Sequence, residues 1–132
     1  MKRSVILLTI WCSLGLGYLL SANVRASLWA SAVLTAMPDT WVGRLLPTGS
    51  MEPTLNEKDW LIYQRVPFTQ VRPGDVISFH CPLDSVPITH RVVRRLEDGG
   101  LVTRGDNNPF VDPWTVGPKD FRGVLIAVYL DS

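Results

Sequence analysis

One serine in this sequence sits in a backbone built to hold it. Pro47, Gly49 and Pro53 surround Ser50 within residues 47–55, PTGSMEPTL. Proline fixes φ and glycine admits conformations closed to other residues, so the hydroxyl would be presented in a defined direction. A serine hydroxyl is a weak nucleophile until a base takes its proton and donors stabilise the oxyanion. The backbone N–H of Ser50 and the hydroxyl of Thr48 are candidate oxyanion donors. Taken alone, the loop also reads as a plain turn.

A base is then required. In residues 88–93, ITHRVV, His90 shares a strand face with Ile88 and Val92. Such a histidine reads either as a satisfied core residue or as a general base. A lysine base is the alternative, but the chain has only Lys2, Lys58 and Lys119. Lys58 and Lys119 stand in polar turns, Asn56-Glu57-Lys58-Asp59 and Pro118-Lys119-Asp120. His80 competes with His90, from a poorer position at a strand end. An imidazole base predicts that activity falls below about pH 6.

An imidazole base needs a carboxylate to hold its tautomer and stabilise its charged form. Residues 103–113, TRGDNNPFVDP, supply Asp106 and Asp112. Asp106 serves equally well as the cap of its own turn. Asp112 is less easily explained by turn chemistry and is placed as the orienting acid, with Asp106 in support of the site.

These residues need elements to carry them. All ten prolines lie at or after Pro38, which divides an apolar beginning from a punctuated remainder. Residues 60–66, 75–80, 87–96, 101–104 and 122–130 are rich in Val, Ile and aromatics and read as strands. Turn signals at 72–75, 98–100 and 105–109 separate them. The expected fold is mainly β, a compact antiparallel sheet or small barrel over residues 40–132. Arg91, Arg94 and Arg95 read as a solvated edge.

The beginning reads as a membrane anchor, residues 1–25. Lys2 and Arg3 precede nineteen uncharged residues, 4–22. As a helix these span about 28 Å, close to a bilayer's hydrocarbon thickness. The basic start favours a cytosolic N-terminus and an extracytoplasmic domain. A cleaved signal peptide is the alternative, with 24–26 as a cleavage site. Residues 26–39 read as a juxtamembrane segment, helical to Met37, with Leu28, Trp29, Ala32, Val33, Ala36 and Met37 on one face. Cys12 and Cys81 would then sit in different environments and form no bridge. Two histidines and two cysteines lack metal-ligand spacing. A net charge of +1 gives no nucleic-acid signature.

Together the motifs resemble the type I signal peptidases. Residues 47–55 are similar to that family's nucleophile box, and 72–79 (RPGDVISF) to its following strand. Residues 89–93 (THRVV) are similar to its base segment, and 103–108 (TRGDNN) with Asp112 to its terminal acidic box. The likeness covers about residues 44–126. A histidine at the base position resembles the members of the endoplasmic reticulum, archaea and some Gram-positive bacteria. The resemblance implies Ser50 as nucleophile, His90 as base, Asp112 as its acid and Asp106 as a supporting aspartate. Thr48 and the Ser50 N–H would form the oxyanion hole. It implies a membrane-bound serine endopeptidase that removes signal peptides after small residues. It implies no cofactor, partners among precursor proteins and lipid, and room for partner subunits. The location would be the plasma membrane, or the endoplasmic reticulum in a eukaryote. Apolar surface near Trp41 and Met51 would rest on lipid or belong to the core. The rival readings are a dedicated processing peptidase, an inactive tethered β-domain that binds partners, and a self-cleaving repressor domain of the Ser–Lys type.

Overall fold

A computed structural model describes residues 22–130, with side chains from Ser27 onward. The expected anchor, residues 1–25, falls outside them apart from 22–25, which open the first helix, and Cys12 lies outside as well. Among the described residues no helix is long and apolar enough to cross a membrane.

Chain order gives one helix, α1 (Ala22–Ala36), then β1 (Thr40–Gly43), β2 (Trp60–Gln64), a 3-10 turn at Phe68–Gln70, β3 (Val76–His80), β4 (Pro87–Arg95), β5 (Leu101–Arg104) and β6 (Phe121–Tyr129). The six strands form a single antiparallel sheet in the order β1-β2-β6-β3-β4-β5. β1 and β5 are its two edges, so the sheet is open and the small-barrel alternative does not hold.

Local chemistry accounts for the elements. α1 is alanine-rich, contains no glycine or proline, and stops before Pro38, where the preceding residue is steered out of helical space. Asp39 turns the chain at φ 59° into β1. Trp29, Ala30 and Val33 of α1 pack against Ile62 and Ala127 of the sheet. The buried stripe is narrower than the spacing predicts. Leu28, Ala32, Ala36 and Met37 face outward, because the helix meets only this strip of β2 and β6.

The last strand enters between β2 and β3, and this insertion ties the halves together. Val124 joins Ile77, Phe79, Val92, Leu101 and Val116 in one apolar cluster. Leu125 joins Met51, Leu55, Leu61, Tyr63 and Val76 in a second. Met51 is wholly buried, so it belongs to the core and does not rest on lipid. Trp41 is half-buried and stacks on Tyr63, with ring centroids 5.2 Å apart.

The arginines of β4 are likewise more than a solvated edge. Arg95 donates to the carbonyls of Gly99, Phe68 and Val71 and lies over the Phe68 ring. Arg91 donates to both carboxylate oxygens of Asp106, at 2.9 and 2.7 Å, and to the Gly74 carbonyl. Only Arg94 keeps the expected exposed position.

Two long connections matter for the site. Residues 44–59 join β1 to β2 and carry Ser50. Residues 105–120 join β5 to β6 and carry both aspartates. The second folds back along β5: Leu101 and Val116 exchange backbone hydrogen bonds, and Asp112 N donates to Thr103 O at 2.8 Å. The edge strand is thereby covered, and Asp112 is set beside β5.

Candidate active site

The register of β4 decides where its imidazole goes. His90 stands opposite Ile77 of β3 and is buried, with 6% of its surface exposed. The Phe79 ring meets it edge-on with centroids 6.4 Å apart, which limits the tilt of the imidazole. Its Nδ1 lies 2.7 Å from Asp112 Oδ2, and its Nε2 lies 3.1 Å from Ser50 Oγ. A carboxylate can only accept, so the ring proton is on Nδ1 and the Nε2 lone pair is turned to the serine hydroxyl. Ser50, His90 and Asp112 thus form one hydrogen-bonded chain, drawn from three segments of sequence.

Asp106, the other candidate acid, is not in that chain. It forms the bidentate pair with Arg91, whose guanidinium holds the Asp106 carboxyl below the usual carboxylate range. Thr48 Oγ1 donates to Ser50 Oγ at 3.2 Å, and the Ser50 N–H makes a long contact of 3.4 Å to Thr48 Oγ1. Both candidate oxyanion donors therefore stand beside the nucleophile. Lys58 and Lys119 are exposed, and His80 is engaged elsewhere, accepting from Arg122.

Beside Ser50 and His90 runs a groove of about 450 Å³. Leu45, Leu46, Val86 and Ile88 give it apolar walls. Tyr63 also lines it. Burial pushes the phenol up to about 12, so its hydroxyl stays protonated and bonds Thr89 Oγ1 at 2.7 Å.

Comparison with known proteins sets this geometry in a family. The family model described as "Signal peptidase, peptidase S26" matches residues 20–95, a stretch that includes Ser50 and His90. The chain belongs to the signal peptidase family. It is 42% identical over 77 residues to the signal peptidase complex catalytic subunit SEC11 of Eremothecium gossypii, covering 54% of this chain and 45% of that protein. It is 35% identical over 81 residues to the Fusarium vanettenii protein of the same name, covering 58% and 46%. For the Pyrenophora tritici-repentis protein the figures are 41% over 66 residues, 46% and 37%. The chain thus spans less than half the length of these curated relatives.

Within this member of the signal peptidase family, the structure adds residues that the sequence did not single out. Thr103 is wholly buried and donates to Asp112 Oδ2 at 2.6 Å, the same oxygen that His90 meets. A threonine in a strand reads as β-propensity, and nothing local marks it out. Asn107 clamps the serine loop: its N–H donates to Ser50 O at 2.8 Å and its side-chain amide to Gly49 O at 3.0 Å. Asp106 N adds a contact to the buried Met51 sulfur. Gly105 occupies the gap between these parts. A Cβ there would lie 2.6 Å from Ser50 O and 3.0 Å from His90 Nε2, closer than side chains approach. Gly49 has φ 68°, the left-handed conformation that glycine adopts without penalty.

Proposed function

We propose that this protein is a membrane-bound serine endopeptidase that cleaves signal peptides from precursor proteins after small residues. The observation that carries the reading is the chain of hydrogen bonds from Ser50 through His90 to Asp112 at the wall of an apolar groove. A precursor segment lies extended in that groove. Ser50 Oγ attacks the scissile carbonyl while His90 Nε2 takes its proton, and Asp112 stabilises the imidazolium. The Ser50 N–H, released from Thr48 Oγ1, and the Thr48 hydroxyl, released from Ser50 Oγ, then donate to the oxyanion. His90 then protonates the leaving amine, and water releases the acyl-enzyme. Asp106 supports the site through Arg91 and does not act on the imidazole. The residues ahead of α1 anchor the enzyme, with its groove on the extracytoplasmic side, in the endoplasmic reticulum if the cell is eukaryotic. The relatives' names, catalytic subunits of a complex, support partner subunits here as well.

Detergent-solubilised protein incubated with a precursor tests this. Cleavage is expected, with losses of roughly 10³-fold or more for Ser50→Ala, His90→Ala and Asp112→Ala. An enzyme that tolerates His90→Ala but fails with Lys119→Ala would overturn the assignment of the base. A wild-type protein that binds the precursor without cutting it would favour a tethered binding domain.

A further inference from the structure

Release of the acyl-enzyme needs a water at the imidazole, and the groove holds a polar side chain that none of the proposed steps uses. Once Ser50 Oγ carries the acyl group it has no proton to share. His90 Nε2 then loses its partner, and its lone pair is left facing the groove. Asn108 lines the same groove. A Cβ at Gly105 would lie 2.8 Å from Asn108 Nδ2 and 3.0 Å from His90 Nε2. These two nitrogens are therefore less than about 6 Å apart, a gap that one water closes with two hydrogen bonds. Asn108 is also held in place. Its N–H donates to Gly105 O at 2.9 Å, and Asn107 beside it clamps the serine loop. Pro109 after it restricts its backbone. Other polar groups of the groove are paired: Tyr63 with Thr89, His80 with Arg122, and Thr48 with Ser50.

We propose that the side-chain amide of Asn108 holds the water that hydrolyses the acyl-enzyme. The inference rests on the peptidase reading and adds a residue to its second half. Asn108 Nδ2 donates to one lone pair of the water, and the water donates a hydrogen to His90 Nε2. The other lone pair attacks the acyl carbon as that hydrogen passes to Nε2 as a proton. The tetrahedral intermediate collapses, the bond from carbon to Ser50 Oγ breaks, and the imidazolium returns the proton to Oγ. A carboxylic acid leaves and the resting serine is restored. The first half of the reaction needs no such water, because Ser50 is itself the nucleophile there. Asn108 thus acts on deacylation alone.

The test uses the full chain in detergent with an alanine-ending peptide p-nitrophenyl ester. An activated ester acylates fast, so hydrolysis of the acyl-enzyme limits turnover and the first turnover appears as a burst of nitrophenol. Acid-quenched samples give the lifetime of the acyl-enzyme by intact mass. Asn108→Ala is expected to keep the burst, which also shows that the variant is folded, while the acyl-enzyme lives roughly ten to a hundred times longer. Both kcat and KM then fall by that factor, and kcat/KM is unchanged. Asn108→Leu, close in shape but without a donor, gives the same pattern. Hydroxylamine, a stronger nucleophile that releases the acyl group without a held water, narrows the gap to the wild type. An acyl-enzyme lifetime unchanged in both variants, or a loss carried by the burst and by kcat/KM, would overturn the inference and leave the peptidase reading in place. A wild-type protein that forms no acyl-enzyme and turns over no ester would remove the peptidase reading, and this inference with it.

Discussion

At the scale of single residues, the chemistry of the site was the part most open to reading. Ser50 stands out because proline and glycine constrain its loop. His90 stands out because the only other histidine closes a strand and Lys58 and Lys119 sit in polar turns. The choice between Asp106 and Asp112 was not open in the same way. Both lie in one turn-rich loop, and Asp112 is favoured as the orienting acid only because turn chemistry explains it less well; in the structure Asp106 pairs with Arg91 and Asp112 with His90. Thr103 was hidden for another reason: its hydroxyl matters only once the fold places Asp112 above it. Asp112 Oδ2 accepts from both His90 and Thr103, so the threonine limits how the carboxylate can turn. Replacing it with valine keeps the shape and removes one hydrogen bond to a charged group, worth about 1.5–3 kcal/mol. Thr103→Val is expected to lower kcat roughly ten- to a hundredfold with little change in KM, and Thr103→Ser to restore most of it. Steady-state kinetics on a peptide substrate check this, and an equal loss in the serine variant would mean that the hydroxyl is not what counts.

At the scale of elements, the five strand runs with β-branched and aromatic residues coincide with β2 to β6 within a few residues. β1 escaped notice because it is four residues long and follows the bend at Pro38 and Asp39 directly. What the patterning does not contain is the relation between loops. Residues 105–108 hold the Ser50 loop by backbone and amide hydrogen bonds, an arrangement between segments more than fifty residues apart. Gly105 is where the two approach most closely. Gly105→Ala forces the His90 ring or the Ser50 carbonyl to move, and a displacement of about 1 Å at reacting groups costs about a hundredfold in rate. The variant is expected to retain its fold by circular dichroism while losing at least that much activity. Wild-type turnover in this variant would show that the loops have slack which the close contacts do not suggest.

At the scale of the whole molecule, stability is shared between apolar clusters on the sheet and a few polar ties that lock its connections in place. The Arg91–Asp106 pair is the clearest of these, joining β4 to the loop after β5, and it makes stability depend on pH. The carboxyl of Asp106 titrates below its ordinary range in the folded state, chiefly through its hydrogen bonds to Arg91. Its contribution is therefore fully present above the unfolded value, about pH 4, and is lost as pH falls toward the lower folded value. Asp106→Asn is expected to melt at a lower temperature than the wild type at pH 7, with the gap closing below about pH 4. A gap that stays constant on acidification would assign the effect to packing. The topology has one more consequence, which concerns time. Among the described strands β6 comes last in the chain, yet it occupies the middle of the sheet, between β2 and β3. During synthesis Ser50, in the loop before β2, and His90, on β4 beside β3, both emerge before the strand that joins these two sides of the sheet, so their meeting waits for β6.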